Sequence, residues 1–178
     1  MDMTFAEKIL AKYAHQKEVE PSQIVTVKPD HLLTHDNAAP IIQKIQPELK
    51  TNGIYNKKLP IIVLDHVIPA VSEKTATNHK IIRGFVKKYG IKHFFDVGEG
   101  ICHQIVIEKG LALPGRLILG SDSHTCSYGA VGAFSTGIDR TEAAALLLTG
   151  ETWLKVPKSI KITIKGKLLP RVTAKDVI

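Results

Sequence analysis

Only two cysteines, Cys102 and Cys126, occur in the 178 residues. That excludes a disulfide framework, so both read as small, partly buried, reduced thiols. Aromatic residues are scarce at 6%, and no compact basic run is present. The net charge of +7 is instead spread over lysines such as Lys57, Lys58, Lys87, Lys88, Lys161, Lys165 and Lys167. Nucleic-acid binding calls for a concentrated basic stripe with stacking platforms, so the charge fits a solvated surface or an acidic small molecule better. No apolar run approaches the roughly 20 residues that span a bilayer, and Met1-Asp2-Met3-Thr4 lacks the start of a signal peptide. A cytoplasmic protein without membrane or nucleic-acid partners is expected. Also missing are a Gly-x-Ser-x-Gly elbow, a phosphate-binding P-loop, a third glycine after Gly98-Glu99-Gly100, and the Cys-x-x-Cys and His-Glu-x-x-His spacings. These absences argue against a serine hydrolase, a nucleotide fold and a closed zinc site.

What is present is apolar material in short, regular blocks. Hydrophobic residues make up 44% of the chain, enough for the core of one α/β domain over residues 1–178. Thr4-x-x-Glu7 is a capping box, and Phe5, Ile9, Leu10 and Tyr13 recur at helical spacing to about His15. Ile24–Val27 reads as a short strand, and Asp36-Asn37 before Pro40 as the entry to a helix near Ala38–Ile45. Pro60–Asp65 is a continuous apolar run of strand length, the pattern of a parallel strand covered on both faces. A crossover helix from Ser72 to Tyr89 stops at Gly90. A strand at His93–Asp96, a helix at Ile101–Glu108, a strand at Arg116–Leu119 and a helix at Asp139–Leu148 follow. Ser159–Ile164 alternates like a half-exposed strand, and Thr173–Asp176 has the form of a helix start. The alternation predicts a layered, mostly parallel α/β/α sheet.

Three polar constellations fall just after predicted strands. Asp65-His66 follows the first run, His103 follows the second across a glycine turn, and Asp122-Ser123-His124 follows the third. In open parallel sheets ligands bind at the carboxyl ends of strands, so all three face one crevice in this reading. Singly, each has a plain structural explanation: a capping pair, a core histidine, a polar turn. Their coincidence favours a site. A carboxylate beside an imidazole orients the ring and raises its basicity, which makes a proton donor or acceptor near neutral pH.

Three ordered segments carry a resemblance. They are Val63-Leu64-Asp65-His66-Val67-Ile68-Pro69, then Asp96-Val97-Gly98-Glu99-Gly100-Ile101-Cys102-His103-Gln104, then Gly120 through Phe134, and Thr152–Lys161 continues the pattern. Together they resemble the aconitase superfamily, and within it the large-subunit branch of 3-isopropylmalate dehydratase and homoaconitase. The resemblance covers essentially the whole chain. It implies a hydro-lyase that isomerises a hydroxy-di- or tricarboxylate by removing and re-adding water, with a [4Fe-4S] cluster as Lewis acid. It also implies a small swivel-domain subunit as partner. By that resemblance Asp65 and His66 form one proton-handling pair, and Asp122 with His103 a second. Ser123 and His124 line the cluster and substrate, and His35 falls where the family places a substrate-facing polar residue.

The departures are specific. The family's cluster-ligating cysteines lie in Ser-Cys-Thr-Asn and Cys-x-x-Cys contexts that do not occur here, and Cys102 and Cys126 stand at non-ligand positions. No metal ligand is therefore expected in this chain, and the acid that would pair with His124 is absent. Asp139-Arg140 stands where relatives more often show a glycine and a small residue. The expectation is a truncated N-terminal segment of a dehydratase large subunit, inactive by itself. The alternative is a non-catalytic fragment that binds a carboxylate or assembles with a partner.

Overall fold

A computed structural model describes residues 3–178, and Met1 and Asp2, part of the N-terminal reading above, lie outside them. The capping box closes: the Glu7 amide donates to the Thr4 hydroxyl, and the Thr4 amide donates to the Glu7 carboxylate at 2.7 Å. Helix α1 (Phe5–Tyr13) then buries Ala6, Ile9 and Leu10. Strands β1 (Ile24–Val27) and β2 (His31–Thr34) are followed by helices α2 (Ala38–Lys44) and α3 (Gln46–Asn52) and by strand β3 (Pro60–Val63). The Ser72 hydroxyl caps helix α4 (Glu73–Tyr89), and Gly90 ends it in the left-handed conformation that a side chain would disfavour. Strand β4 (His93–Phe95), helix α5 (Cys102–Glu108), strand β5 (Leu117–Gly120) and a 3₁₀ helix at Ser123–Val131 come next. Strand β6 (Phe134–Gly137), helix α6 (Arg140–Thr149), strand β7 (Thr152–Lys155) and one 3₁₀ turn at Ala174–Asp176 complete the order. Asp139, unusual by the family resemblance, is the N-cap of α6 and forms a capping box with Glu142.

Five strands pair in parallel in the order β4-β3-β2-β5-β6. The chain winds outward from β2 through β3 to β4, then returns to the other side of β2 for β5 and β6. Alternate strand residues serve opposite faces. Leu32, Ile62, Leu117 and Leu119 pack with α1, α2, α4 and α6, whereas Leu33, Ile61, Val63 and Ile118 pack with Ile105, Val106 and Tyr128. Helices on both faces explain why the runs at 60–64 and 117–119 are unbroken by polar residues. The fold is thus a doubly wound α/β/α layer with two cores separated by its sheet.

The structure departs from the sequence reading in several places. The sequence reading does not contain the central strand β2, strands β6 and β7, helix α3 or the 3₁₀ helix at Ser123–Val131; β2 carries polar residues at both ends that burial overrides, whereas β6 is only partly buried and has Ser135 and Thr136 at its centre. β1 lies outside the main sheet and pairs antiparallel with β7. Residues 159–164 form no strand, and Ile160, Ile162 and Ile164 are 87%, 82% and 70% exposed. A period of two marks a strand with one face to cover, and among the described residues no element covers this one. No helix among the described residues is long and apolar enough to cross a membrane.

Candidate active site

The direction of winding reverses between β2 and β5, and the chain leaves both strands at the same edge. This is the crevice in which doubly wound sheets bind ligands. At the end of β5 the backbone is packed too closely for a larger residue than glycine: a Cβ at Gly120 would collide with the Thr125 hydroxyl. That buried hydroxyl donates to the Asp122 carbonyl at 2.6 Å. A Cβ at Gly137 on β6 would lie 3.0 Å from the same carbonyl oxygen. Asp122 is therefore held from its backbone, and its carboxylate caps the 3₁₀ helix through the His124 amide at 2.8 Å.

Four imidazoles surround that carboxylate. His103 Nε2–H donates to Oδ1 at 2.8 Å, and His124 Nδ1 lies 3.4 Å from the same oxygen. His35 Nε2 and His66 Nε2 each lie 3.9 Å from Oδ2, and their rings stack at 3.8 Å between centroids. Burial by itself would raise the Asp122 carboxyl. The hydrogen bonds from the His124 amide and the His103 ring outweigh it and hold the carboxyl below its usual range. Burial, then the neighbouring His66, lowers His35, with Asp122, Asp65 and Asp36 opposing.

Asp65 faces both ways. Its Oδ1 accepts His66 Nδ1–H at 2.6 Å, and its Oδ2 accepts the Cys102 amide at 2.7 Å, which ties the end of β3 to the start of α5. The His66 ring tip remains open, with 42% of its side chain exposed. His124 is more open still, and Ser123 Oγ lies 3.5 Å from its Nδ1, at the limit of a hydrogen bond. All seven residues named from the sequence thus lie at one edge of the sheet.

The reading missed the groups behind them. Asp36 Oδ2 accepts the amides of Asp65 and His66 at 3.1 and 2.8 Å, while Oδ1 accepts Nε2–H of buried His79 at 2.6 Å. Asn37 Nδ2 donates to the Ser121 carbonyl at 2.8 Å and Asn37 Oδ1 accepts the Ser121 hydroxyl at 2.9 Å, which joins β2 to β5 at the switch point. Fully buried Tyr128 places its hydroxyl 3.0 Å from His103 Nδ1. Asp36-Asn37 does precede a helix, as the sequence suggests, yet Asn37 makes no side-chain cap. The available signal was His79, three residues before Ile82 and so a polar group on the apolar stripe of α4.

The [4Fe-4S] cluster implied by the resemblance is held by cysteine thiolates. Burial, with Asp65 and Asp122 adding to it, pushes the Cys102 thiol up to about 12. Cys126 is exposed, with its sulfur 3.7 Å from the Ser123 carbonyl. The candidate ligand groups among the described residues contain only His and Asp: His35, Asp36, Asp65 and His66 in one, His103, Asp122 and His124 in the other. The residues present do not fit the cluster.

Fold and site together define a doubly wound α/β domain whose carboxyl edge carries a carboxylate–imidazole cluster. Residues 7–178 match the sequence profile described as the aconitase family (aconitate hydratase). The chain belongs to that family. It is 48% identical over 178 residues to the 3-isopropylmalate dehydratase large subunit of Aquifex aeolicus, covering all of this chain and 41% of that protein. It is 42% identical over 178 residues to the probable 3-isopropylmalate dehydratase large subunit of Methanothermobacter thermautotrophicus, covering 42% of it. It is 45% identical over 179 residues to 3-isopropylmalate dehydratase large subunit 1 of Pyrococcus abyssi, again covering 42%. The chain spans about two fifths of the length of the curated relatives it matches.

Proposed function

We propose that this chain is the N-terminal segment of the large subunit of a dehydratase that interconverts hydroxy-di- or tricarboxylates of the isopropylmalate type by dehydration and rehydration. One observation carries the reading: the Asp122 carboxylate set among four imidazoles at the switch point of the sheet. Asp65 anchors His66 through Nδ1–H, which leaves Nε2 as the atom that exchanges a proton with a ligand. The 3.9 Å separations from Asp122 Oδ2 to His66 Nε2 and His35 Nε2 are too long for direct hydrogen bonds. One ligand oxygen seated among the three atoms would contact them all. A protonated His66 there delivers its proton to a departing hydroxyl, which leaves as water, and the deprotonated ring takes it back on rehydration. His124 and Ser123 line the open side, where they meet the rest of the ligand. The proton bound to carbon needs a second group across the ligand from this cluster.

The iron-sulfur cluster belongs, in this reading, to cysteines outside these 178 residues, and a small subunit covers the open crevice. "Large subunit" in the relatives' names supports such a partner. The test is complementation. The chain is assembled with the later segment and small subunit of a relative, and the unsaturated dicarboxylate formed from isopropylmalate is followed by absorbance. Turnover that falls about 10²–10⁴-fold in Asp122→Asn supports the assignment. Turnover unchanged by that substitution, or none in a correctly assembled wild type, refutes it.

A further inference from the structure

His103 has two ring nitrogens, and the mechanism above uses only one of them. Nε2 donates to Asp122 Oδ1 at 2.8 Å, so this nitrogen carries a proton. Nδ1 faces the Tyr128 hydroxyl at 3.0 Å, and the direction of that hydrogen bond decides the state of the ring. If Nδ1 carried a proton as well, the Tyr128 oxygen would accept it and the phenolic proton would need another acceptor. Tyr128 is 0% exposed, and His103 Nδ1 is the hydrogen-bond partner found for its hydroxyl among the described residues. A buried hydroxyl proton left unpaired bears its full desolvation cost. If instead Nδ1 is bare, every donor meets an acceptor: phenol to Nδ1, Nε2–H to Asp122.

We infer that Tyr128 is a positioning residue that donates to His103 Nδ1 and holds the ring as the neutral Nε2–H tautomer, a fixed donor to Asp122 rather than a source of protons. Burial, reinforced by Cys102, Asp122 and Asp65, raises the Tyr128 hydroxyl well above its ordinary value, so the phenol keeps the proton it donates. Its surroundings cannot readily turn: Tyr128 sits in the second core among Leu33, Ile61, Val63, Ile105 and Ile118. The consequence is a division of labour. His103 orients Asp122, and proton exchange with a ligand falls to His66, whose ring tip is open and faces the other Asp122 oxygen. That consequence rests on the dehydratase reading, whereas the state of the ring does not.

The experiment uses the 178-residue chain with ring-¹⁵N histidine, and reads each imidazole by long-range ¹H–¹⁵N correlation near neutral pH. His103 is assigned from the signal lost in His103→Gln. One bare nitrogen, Nδ1, and one protonated nitrogen, Nε2, are expected. A doubly protonated ring, or the Nδ1–H tautomer, overturns the proposal. In Tyr128→Phe the ratio of doubly protonated to neutral ring is expected to rise about five-fold, the worth of one net hydrogen bond. An unchanged ratio removes Tyr128 from the role. Should Tyr128→Phe fail to fold, the wild-type correlation decides by itself. An inactive assembled enzyme with the expected ring state would count against the dehydratase reading and leave the tautomer standing.

Discussion

Asp36 shows how much of this site depends on a residue that touches no ligand. Its carboxylate accepts the amides of Asp65 and His66 while hydrogen-bonding to buried His79, so one side chain fixes the turn after β3 and ties it to α4 from within. Removing one partner of a buried pair leaves the other uncompensated. Asp36→Asn is therefore expected to lower stability by about 3 kcal/mol, read as a fall in the urea midpoint at unchanged slope. The double change Asp36→Asn, His79→Leu should recover part of that loss. An Asp36→Asn midpoint equal to wild type would show that the pair does not hold the turn. Residues of this kind were hard to read from the chain, because their partners are remote in sequence. Asp65, His66, Asp122 and His124 stand out as dense polar groups after apolar runs, whereas Asp36 reads with Asn37 as a helix entry and nothing local marks Tyr128.

At the scale of elements, legibility followed burial on both faces. The runs at Pro60–Leu64 and Leu117–Leu119 are apolar throughout because they are covered above and below, and they are recognisable from that alone. β2 is just as buried, but His31 and Thr34 sit at its ends and Pro29-Asp30 precede it, so its pattern is no longer than two leucines. β6, Phe-Ser-Thr-Gly, draws its order from pairing with β5 rather than from its own propensity. The hinge of the arrangement is the junction of β5 with the 3₁₀ helix. Gly120→Ala forces a methyl group into Thr125 and through it against Asp122. A loss of about 1–3 kcal/mol in thermal or urea unfolding is expected, together with altered His103 and His124 ring signals. Stability within error of wild type would mean that the close approach is not required.

For the whole molecule, charge sets two thresholds on lowering the pH. Burial, then the neighbouring charges of His93 and Arg116, lowers His31, and burial, then Lys58, lowers His93; their rings meet edge to face at 5.4 Å. A histidine whose folded value lies below its unfolded value near 6.5 destabilises the fold as pH falls from that value through the folded one. Carboxyls with depressed folded values, Asp36 and Asp122, stabilise above the unfolded value near 3.9, and that contribution is lost as pH falls through the folded values. Urea midpoints are thus expected to decline in two steps, one beginning near pH 6.5 and one near pH 4, with His31→Gln shrinking the first. A single acid step would contradict the histidine contribution. Cysteine chemistry makes a separate statement at this scale. Anaerobic treatment of the chain with iron and sulfide should give no stable cluster absorbance, because one thiol is buried and pushed up to about 12 and the other stands apart. A stoichiometric cluster would overturn the assignment of those ligands to residues elsewhere.

The strand order has a kinetic corollary. β2, β3 and β4 can assemble as a contiguous unit and would already carry His35, Asp65 and His66, but not the carboxylate those rings face. Asn37 and Ser121, which lock β5 beside β2, are 84 residues apart in the chain. Closing so long a loop comes late and slowly, because its entropy is lost before its contacts form. The carboxylate–imidazole cluster is therefore among the last features of this domain to appear as it folds, and the docking of β5 is the event that completes it.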